Sequence, residues 1–152
     1  ARAPGGRAMR SLLPLADVVK VSDEELEMLT DCAEIPAGAA ALFARGVQAV
    51  VVTRGAKGCV VCTPSCVRAL STYDTPVVDT TGSGDSFFGA FLTKLIEAGQ
   101  PVSALSAETL CAAADFANAA GSVCATKKGA IPALPDRAAI EACMRSVPRL
   151  EI

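Results

Sequence analysis

The stretch Asp79-Thr-Thr-Gly-Ser-Gly-Asp-Ser-Phe-Phe-Gly-Ala-Phe-Leu92 joins a glycine-rich loop to the start of an apolar helix. Its glycines allow successive backbone N–H groups to point into one concavity. The first turn of the helix adds unpaired donors and partial positive charge, and phosphate oxygens fit such a loop. Asp85 lies in that turn, where its carboxylate could take a proton from an attacking alcohol. A plain helix start, with Asp85 as a cap, explains the same residues equally well.

Alternating strands and helices surround this loop. Short apolar runs predict strands, and apolar residues at helical spacing predict helices. The predicted strands cover residues 17–21, 48–53, 59–62, 67–70 and 76–78. The predicted helices cover residues 6–15, 23–29, 36–45, 106–125 and 136–144, and one more runs from the loop to Gly99. This alternation predicts an α/β fold with a mainly parallel sheet flanked by helices.

A second glycine-rich loop, Gly55-Ala-Lys-Gly58, follows the predicted strand 48–53. Ligands of such folds bind beyond the carboxyl ends of the strands, where loops lead into helix N-termini. Both glycine-rich loops come just after predicted strands. We therefore expect them to converge on one crevice.

Histidine and cysteine usage narrows the chemistry. The chain has no histidine, which excludes His-based triads and most zinc enzymes. Its seven cysteines are an odd number scattered through apolar stretches, which favours reduced thiols. Cys59 and Cys62 have the spacing of a metal or redox pair, but they lie on a predicted strand, where residues three apart point to opposite faces. We therefore expect both to pack in the core.

Charge and hydropathy exclude two classes of partner. The net charge of −2 leaves no basic surface for nucleic acid, and aromatic residues are only 4% of the chain. No apolar run is long enough to span a bilayer, so no membrane contact is expected. No signal-peptide apolar core follows the arginines of the first ten residues. A cytoplasmic location is the resulting expectation.

The stretch that begins at Asp79 closely resembles the second signature of the ribokinase-like (PfkB) carbohydrate kinases. The resemblance implies the three-layer ribokinase-like fold and ATP-dependent phosphorylation of a sugar. It implies Asp85 as the catalytic base, with the amides of Gly82, Ser83 and Gly84 as the anion hole. A small-molecule sugar would be the substrate, with ATP and Mg²⁺ as cofactors.

Two further segments extend the resemblance to the nucleotide. Residues 52–59 look like the segment that borders the ATP phosphates, which implies contacts from Thr53, Gly55 and Gly58 and a phosphate contact from Lys57. The alternative is a turn that only joins two strands. Residues 116–130 resemble the adenine-pocket helix and the loop after it, which implies Asn118 beside the adenine and Gly129 and Ala130 beside the nucleotide. Alternatively, the Asn118 amide bonds a neighbouring backbone carbonyl.

The metal positions are also implied by the resemblance. Ser22-Asp-Glu-Glu25 matches the family's Asn-x-x-Glu segment, which organises magnesium and phosphate through water, with Ser22 in place of Asn. A plain capping box explains Ser22 and Glu25 equally well. Family members often hold potassium, mainly through backbone oxygens. The matching positions here are Asp79, Thr81, Cys124, Lys127, Gly129 and Ala133.

The resemblance covers only part of the family's fold. Residues 1–152 match the C-terminal, nucleotide-binding and catalytic portion of a single ribokinase-like domain, without the N-terminal half and its lid. Alone, the chain should expose a sheet edge and be inactive. Residues 19–27 look most like the fructokinase branch. Ribokinase, 2-keto-3-deoxygluconate kinase, nucleoside kinase and a catalytically silent nucleotide-binding or structural fragment stay open, and a homodimer of the full-length protein is a further expectation.

Overall fold

The computed structural model describes residues 9–151 as one sheet with helices on both faces. The strands are β1 (Val18–Ser22), β2 (Ala49–Thr53), β3 (Cys59–Thr63) and β4 (Cys66–Leu70). The helices are α1 (Asp23–Thr30), α2 (Ile35–Phe43), α3 (Ser83–Ala98), α4 (Ala107–Cys124) and α5 (Arg137–Ser146). A 3₁₀ turn at Leu13–Leu15 ends the first predicted helix, and residues 6–8 of that helix lie outside the described residues. The α/β fold is confirmed.

The strand directions correct one prediction. The sheet order is β1-β2-β3-β4, with β1 parallel to β2 and the other two pairings antiparallel. The sheet is therefore mixed, and the expected mainly parallel pairing is wrong for these strands. The reason lies in the connections, because a parallel crossover needs a dozen or more residues. Residues 23–48, with α1 and α2, provide one between β1 and β2, whereas residues 54–58 between β2 and β3 allow only a reversal.

The two faces of the sheet carry separate cores, which makes three layers. One core packs Val51 and Val61 against Phe87 and Phe91 of α3 and the small residues of α4. The other packs Val50 and Val52 against α1 and α2. The full burial of these side chains removes apolar area from water, at about 25 cal/mol per Å². These two layers of helices hold the carboxyl ends of β1 and β2 beside the start of α3.

The two cysteines of the Cys-x-x-Cys segment separate as predicted. Cys59 belongs to the core under α3 and α4, and Cys62 belongs to the core under α1 and α2. Both are buried and neither forms a disulfide. Within residues 9–151 no group of three or more His, Cys, Asp or Glu side chains could hold a metal ion.

The predicted short strand 76–78 is wrong. Val77 and Val78 are 66% and 64% exposed and lie in no strand. Pro76 lacks the N–H that a strand ladder needs. The N–H groups of Val78 and Asp79 both donate to the carbonyl of Ala125, so this segment is tied to the end of α4 instead.

Within residues 9–151 no strand pairs with the outer edge of β1, and α3 exposes two large apolar side chains. Leu92 is 37% exposed and Ile96 is 79% exposed. The free edge of β1 agrees with the expectation that the chain exposes a sheet edge. None of the helices in residues 9–151 combines the length and the apolar character needed to cross a membrane.

Candidate phosphate and nucleotide site

The first turn of α3 presents unpaired backbone donors. Gly82 caps the helix with a φ of +83°, a conformation that glycine adopts readily. The Ser83 N–H donates to the Thr80 carbonyl at 3.1 Å, so one of the three predicted anion-hole amides is engaged in the turn. The N–H groups of Gly84 and Asp85 have no acceptor within residues 9–151. These two amides point out of the helix end, where an anion is favoured.

The glycine at position 82 also allows two loops to touch. A Cβ at Gly82 would lie 3.0 Å from both Cα and Cβ of Ala130. Gly121 plays the same part in α4, because a Cβ there would lie 3.2 Å from the Ser83 carbonyl oxygen. The small residues of α4 therefore let it lie close against the start of α3.

Asp79 ties the loop to residues 129–130. Its Oδ1 accepts from the Thr81 N–H and its Oδ2 from the Gly129 N–H, both at 2.9 Å. The hydrogen bonds from the Thr81 side chain, the Gly129 amide and the Thr81 amide lower the pKa of Asp79 to about 2. Both carboxylate oxygens thus hold the two loops of the site together.

The lowered pKa of Asp79 leads to a pH prediction. Because the folded-state value lies below the ordinary value near 3.9, ionised Asp79 stabilises the fold above about pH 4. That contribution disappears as the pH falls through about 2. The parent protein should therefore be more stable than its Asp79→Asn variant near neutral pH, and the gap should close between about pH 4 and pH 2. Urea unfolding of both proteins across this range measures the gap. A gap that stays constant down to pH 2 would contradict the role of the carboxylate.

The two glycine-rich loops converge on one crevice, which confirms that prediction. The cavity has a volume of about 370 Å³. Thr53, Gly55 and Gly58 line it from one side, and Ser83 and Gly84 line it from the other. The crevice lies at the carboxyl end of β2, and ligands of α/β folds bind at such strand ends.

Asp85 lies at the edge of this crevice. Its side chain is exposed, and it borders an adjoining depression of about 410 Å³ together with Gly89 and Arg137. Gly84 faces the crevice while Asp85 faces the depression. The free amides and the carboxylate are therefore neighbours on one helical turn that separates two cavities.

Lys57 does not line the crevice, and neither do the predicted contacts Ser22, Gly82, Gly129 and Ala130. The Lys57 side chain is exposed, and its carbonyl accepts from the Arg54 guanidinium at 3.1 Å. The 3₁₀ turn Gly55–Lys57 is held by this bond and by the Arg54 N–H bond to the Gly58 carbonyl. Arg54 thus shapes the loop, and the phosphate role of Lys57 stays a prediction.

Asn118 lines the crevice and is 4% exposed. Its Nδ2 donates to the Ser71 carbonyl at 3.2 Å and to the Cys59 sulfur at 3.4 Å. Burial raises the pKa of the Cys59 thiol to about 12, so this neighbour is uncharged. The Asn118 amide therefore bonds a backbone carbonyl, as the alternative interpretation proposed. Its place beside an adenine stays a prediction.

Ser22 and Glu25 form a complete capping box. The Glu25 N–H donates to Ser22 Oγ at 3.1 Å, and the Ser22 N–H donates to Glu25 Oε2 at 2.7 Å. The cap accounts for both side chains. Their roles toward magnesium and nucleotide stay predictions.

The structure brings several of the predicted potassium positions together. Asp79 bonds the amides of Thr81 and Gly129, and the Cys124 thiol lies 4.0 Å from the Thr81 carbonyl oxygen. The Lys127 N–H donates to the Cys124 carbonyl, and Ala133 lies in the next turn, its N–H bonded to the Ala130 carbonyl. A loop of backbone oxygens is the kind of donor set that suits potassium. The residues present fit the ion in donor type.

One wall of the crevice comes from residues that no local pattern singles out. Arg149 pairs with Tyr73 in an isolated antiparallel bridge, and Leu150 lines the cavity. The Arg149 guanidinium donates two hydrogen bonds, of 2.6 and 2.7 Å, to the Asp115 carboxylate of α4. The Tyr73 hydroxyl donates to the same carboxylate. The partners are far apart in sequence, so only the fold could reveal them. Lys20, whose ammonium lies near Gly84, was missed for the same reason.

Comparisons with known proteins point to one family. A model of the pfkB family carbohydrate kinases matches residues 2–137. Probable fructokinase-5 of Arabidopsis thaliana is 43% identical over 140 residues, 91% of this chain and 42% of that protein. A double-mutant fructokinase of Vibrio cholerae O395, solved with fructose, ADP and potassium, has a TM-score of 0.82 and 38% identity over 91% of this chain and 44% of its own. Arabidopsis thaliana ribokinase with ribose and ATP has a TM-score of 0.73 and 31% identity over 90% and 43%. The chain spans less than half the length of each of these relatives.

Proposed function

Because the chain belongs to the pfkB family of carbohydrate kinases, we propose that it is the C-terminal, nucleotide-binding and catalytic portion of an ATP-dependent sugar kinase. Fructose is the proposed acceptor, since the relatives at 43% and 38% identity are fructokinases. The observation that carries the proposal is the first turn of α3. It supplies two unpaired amides, that of Gly84 on the crevice and that of Asp85 next to it, with the Asp85 carboxylate beside them.

In this proposal Asp85 is the general base. Its carboxylate takes the proton of the sugar hydroxyl as the hydroxyl oxygen bonds to the terminal phosphorus of ATP. The bond from that phosphorus to the bridging oxygen breaks, and ADP leaves. The N–H groups of Gly84 and Asp85 donate to the phosphoryl oxygens, on which negative charge is held during transfer. Gly82 allows the loop to lie close to Ala130, and the Ser83 N–H holds the turn that leads into α3.

The crevice would hold the rest of the nucleotide. Thr53, Gly55 and Gly58 would lie along the phosphates, with Lys57 reaching them from the surface. Asn118 would border the adenine, while Gly129 and Ala130 would flank the nucleotide from the loop that Asp79 holds in place. Magnesium would neutralise phosphate charge, with Glu25 and Ser22 as the residues that the family resemblance gives for orienting its waters. Potassium would stabilise the loop through the oxygens of residues 79, 81, 124, 127, 129 and 133. A cytoplasmic location and a homodimer of the full-length protein stay predictions.

A panel of acceptors tests the proposal. The full-length gene product, supplied with MgATP, should form ADP fastest with fructose. Ribose, 2-keto-3-deoxygluconate and a nucleoside serve as acceptors for the other branches of the family. Equal rates with all sugars, or ADP formation that ignores the sugar, would contradict the assignment. Faster turnover with ribose would keep the family and replace the substrate.

The alternative is that the chain is catalytically silent. It is considered because the chain spans less than half the length of its relatives. The 152 residues alone are expected to show no sugar-dependent ADP formation, since the remaining part of the relatives' length has no counterpart here. This outcome would not bear on the full-length protein, which the acceptor panel tests.

A further inference from the structure

Lys20 lies on the face of β1 that looks toward α3. In the register of the sheet it pairs with Val51, and directly paired residues point to the same face. Val51 packs in the core that contains Phe87 and Phe91 of α3. Val21, the next residue in β1, packs in the opposite core. The strand therefore directs Lys20 to the α3 side of the sheet, two residues before the strand ends.

The ammonium group of Lys20 reaches the first turn of α3. A Cβ at Gly84 would lie 3.3 Å from Nζ of Lys20. Lys20 is half-buried, and it forms no hydrogen bond or ion pair with any residue of the described chain. A lysine ordinarily extends its charge into water or to a carboxylate. Here the charge lies beside Gly84, whose N–H group is unpaired and is followed by the unpaired N–H group of Asp85.

The groups around this turn all carry positive charge or donate hydrogen bonds. The N-terminus of a helix carries partial positive charge, so a cation there is unfavourable by itself. Ser83 adds a buried hydroxyl oxygen that has no hydrogen-bond partner within residues 9–151. An ammonium, two amides and a hydroxyl therefore lie at one helical turn, and every one of them can donate to an anion. An anion at this point would satisfy them together.

We propose that Lys20 is a phosphate-contacting residue, whose ammonium binds the phosphoryl group that is transferred from ATP. The inference rests on the proposed function of the α3 loop and adds a cationic group to its amides. Lys20 would donate to an oxygen of the terminal phosphate and keep its proton throughout. Its effect is to hold negative charge as the bridging bond breaks. ADP lacks the group that Lys20 contacts, so the contact distinguishes ATP from ADP.

Calorimetric titration of the full-length protein with ADP and with the β,γ-imido analogue of ATP tests this contact. The Lys20→Met variant should bind the analogue about ten- to a hundredfold more weakly, the usual range for a hydrogen bond to a charged group. Its affinity for ADP should change less than about threefold, since no contact to ADP is lost. The ratio of the two affinities is independent of any fraction of unfolded protein. Lys20→Arg keeps the charge and should recover part of the lost affinity for the analogue.

Lys94→Met is the matched control. It removes the same charge from the same face of the sheet, but Lys94 lies ten residues along α3, about 15 Å from Gly84, and pairs with Glu97. The ratio of the two affinities in Lys94→Met should equal that of the parent.

With fructose as acceptor, Lys20→Met should lower kcat about tenfold or more and leave the KM for fructose within about twofold.

The outcomes separate this inference from the proposed function. If Lys20→Met keeps the parent's affinity ratio while the parent phosphorylates a sugar, the Lys20 contact is overturned and the kinase assignment stands. If the parent phosphorylates no sugar but the affinity ratio still falls, the kinase assignment is overturned and the phosphate contact stands. A parent protein that does not bind the analogue overturns both.

Discussion

Replacing Asp85 by asparagine is expected to lower kcat for sugar phosphorylation about a hundred- to ten-thousandfold in the full-length protein, the range attributed to a positioned acid or base. Asparagine has the same shape but cannot accept a proton from the sugar hydroxyl. Because the free amides of Gly84 and Asp85 belong to the backbone, they survive the substitution. Affinity for the ATP analogue should therefore stay within a few-fold of the parent. Steady-state kinetics with fructose, together with calorimetric titration of the analogue, measure the two effects separately.

Asp136→Asn is a suitable control for the same change of atoms. Asp136 caps α5, where its Oδ1 accepts from the Ala139 N–H at 2.8 Å. Asparagine caps helices about as well as aspartate, so this variant should keep both stability and turnover. Turnover of Asp85→Asn within a few-fold of the parent would remove Asp85 from the role of base. The carboxylate would then be a cap that favours the helix end.

The second large effect is expected at Gly58, which should not tolerate alanine. Its φ is +75° and its ψ is −135°, a combination that is nearly restricted to glycine. A Cβ there would lie 2.0 Å from the Leu70 carbonyl oxygen of the paired strand β4. Backbone strain and steric overlap each cost about 1–3 kcal/mol, so Gly58→Ala should lower the free energy of unfolding by about 3 kcal/mol or more. Urea unfolding of the full-length protein measures the loss.

Gly55→Ala provides the comparison, because it lies in the same loop and also has a positive φ, +57°. No atom lies within 4 Å of its missing Cβ. Only the conformational penalty of about 1–2 kcal/mol should therefore appear. The difference between the two variants isolates the contact with β4. Equal losses would mean that the strand edge moves aside freely, and the crevice would then be less rigid than its hydrogen bonds indicate.

Local features of the structure were predictable where the physical cause is itself local. The capping box of Ser22 and Glu25 forms both of its hydrogen bonds, because residues three apart can pair the free N–H groups at a helix start. Cys59 and Cys62 face opposite cores because a strand alternates its side chains. The start of α3 at the glycine-rich loop follows from the same kind of short-range rule. The family and the candidate base both derive from this one contiguous stretch.

Long-range partners were not predictable. Asn118 bonds the Ser71 carbonyl, and the fold alone selected that carbonyl among many polar groups. The segment 76–78 resembles a strand by composition, but the N–H groups of Val78 and Asp79 donate to the Ala125 carbonyl at the end of α4. The direction of β3 depends on a connection too short for a crossover, a constraint that outweighs the general preference of alternating folds for parallel sheets.

By itself, the sequence determined the helices, four of the five predicted strands, the glycine-rich loop and the carboxylate beside it. Caps, periodicity and glycine conformations act over a few residues, so a local pattern is enough to predict them. Only the tertiary structure decided what surrounds that loop. The register of β1 against β2 places Lys20 near Gly84, and Arg149 pairs with Asp115 next to Leu150 of the crevice wall. These contacts join residues far apart in the chain, and their positions depend on how strands pair and helices pack, which no local pattern encodes.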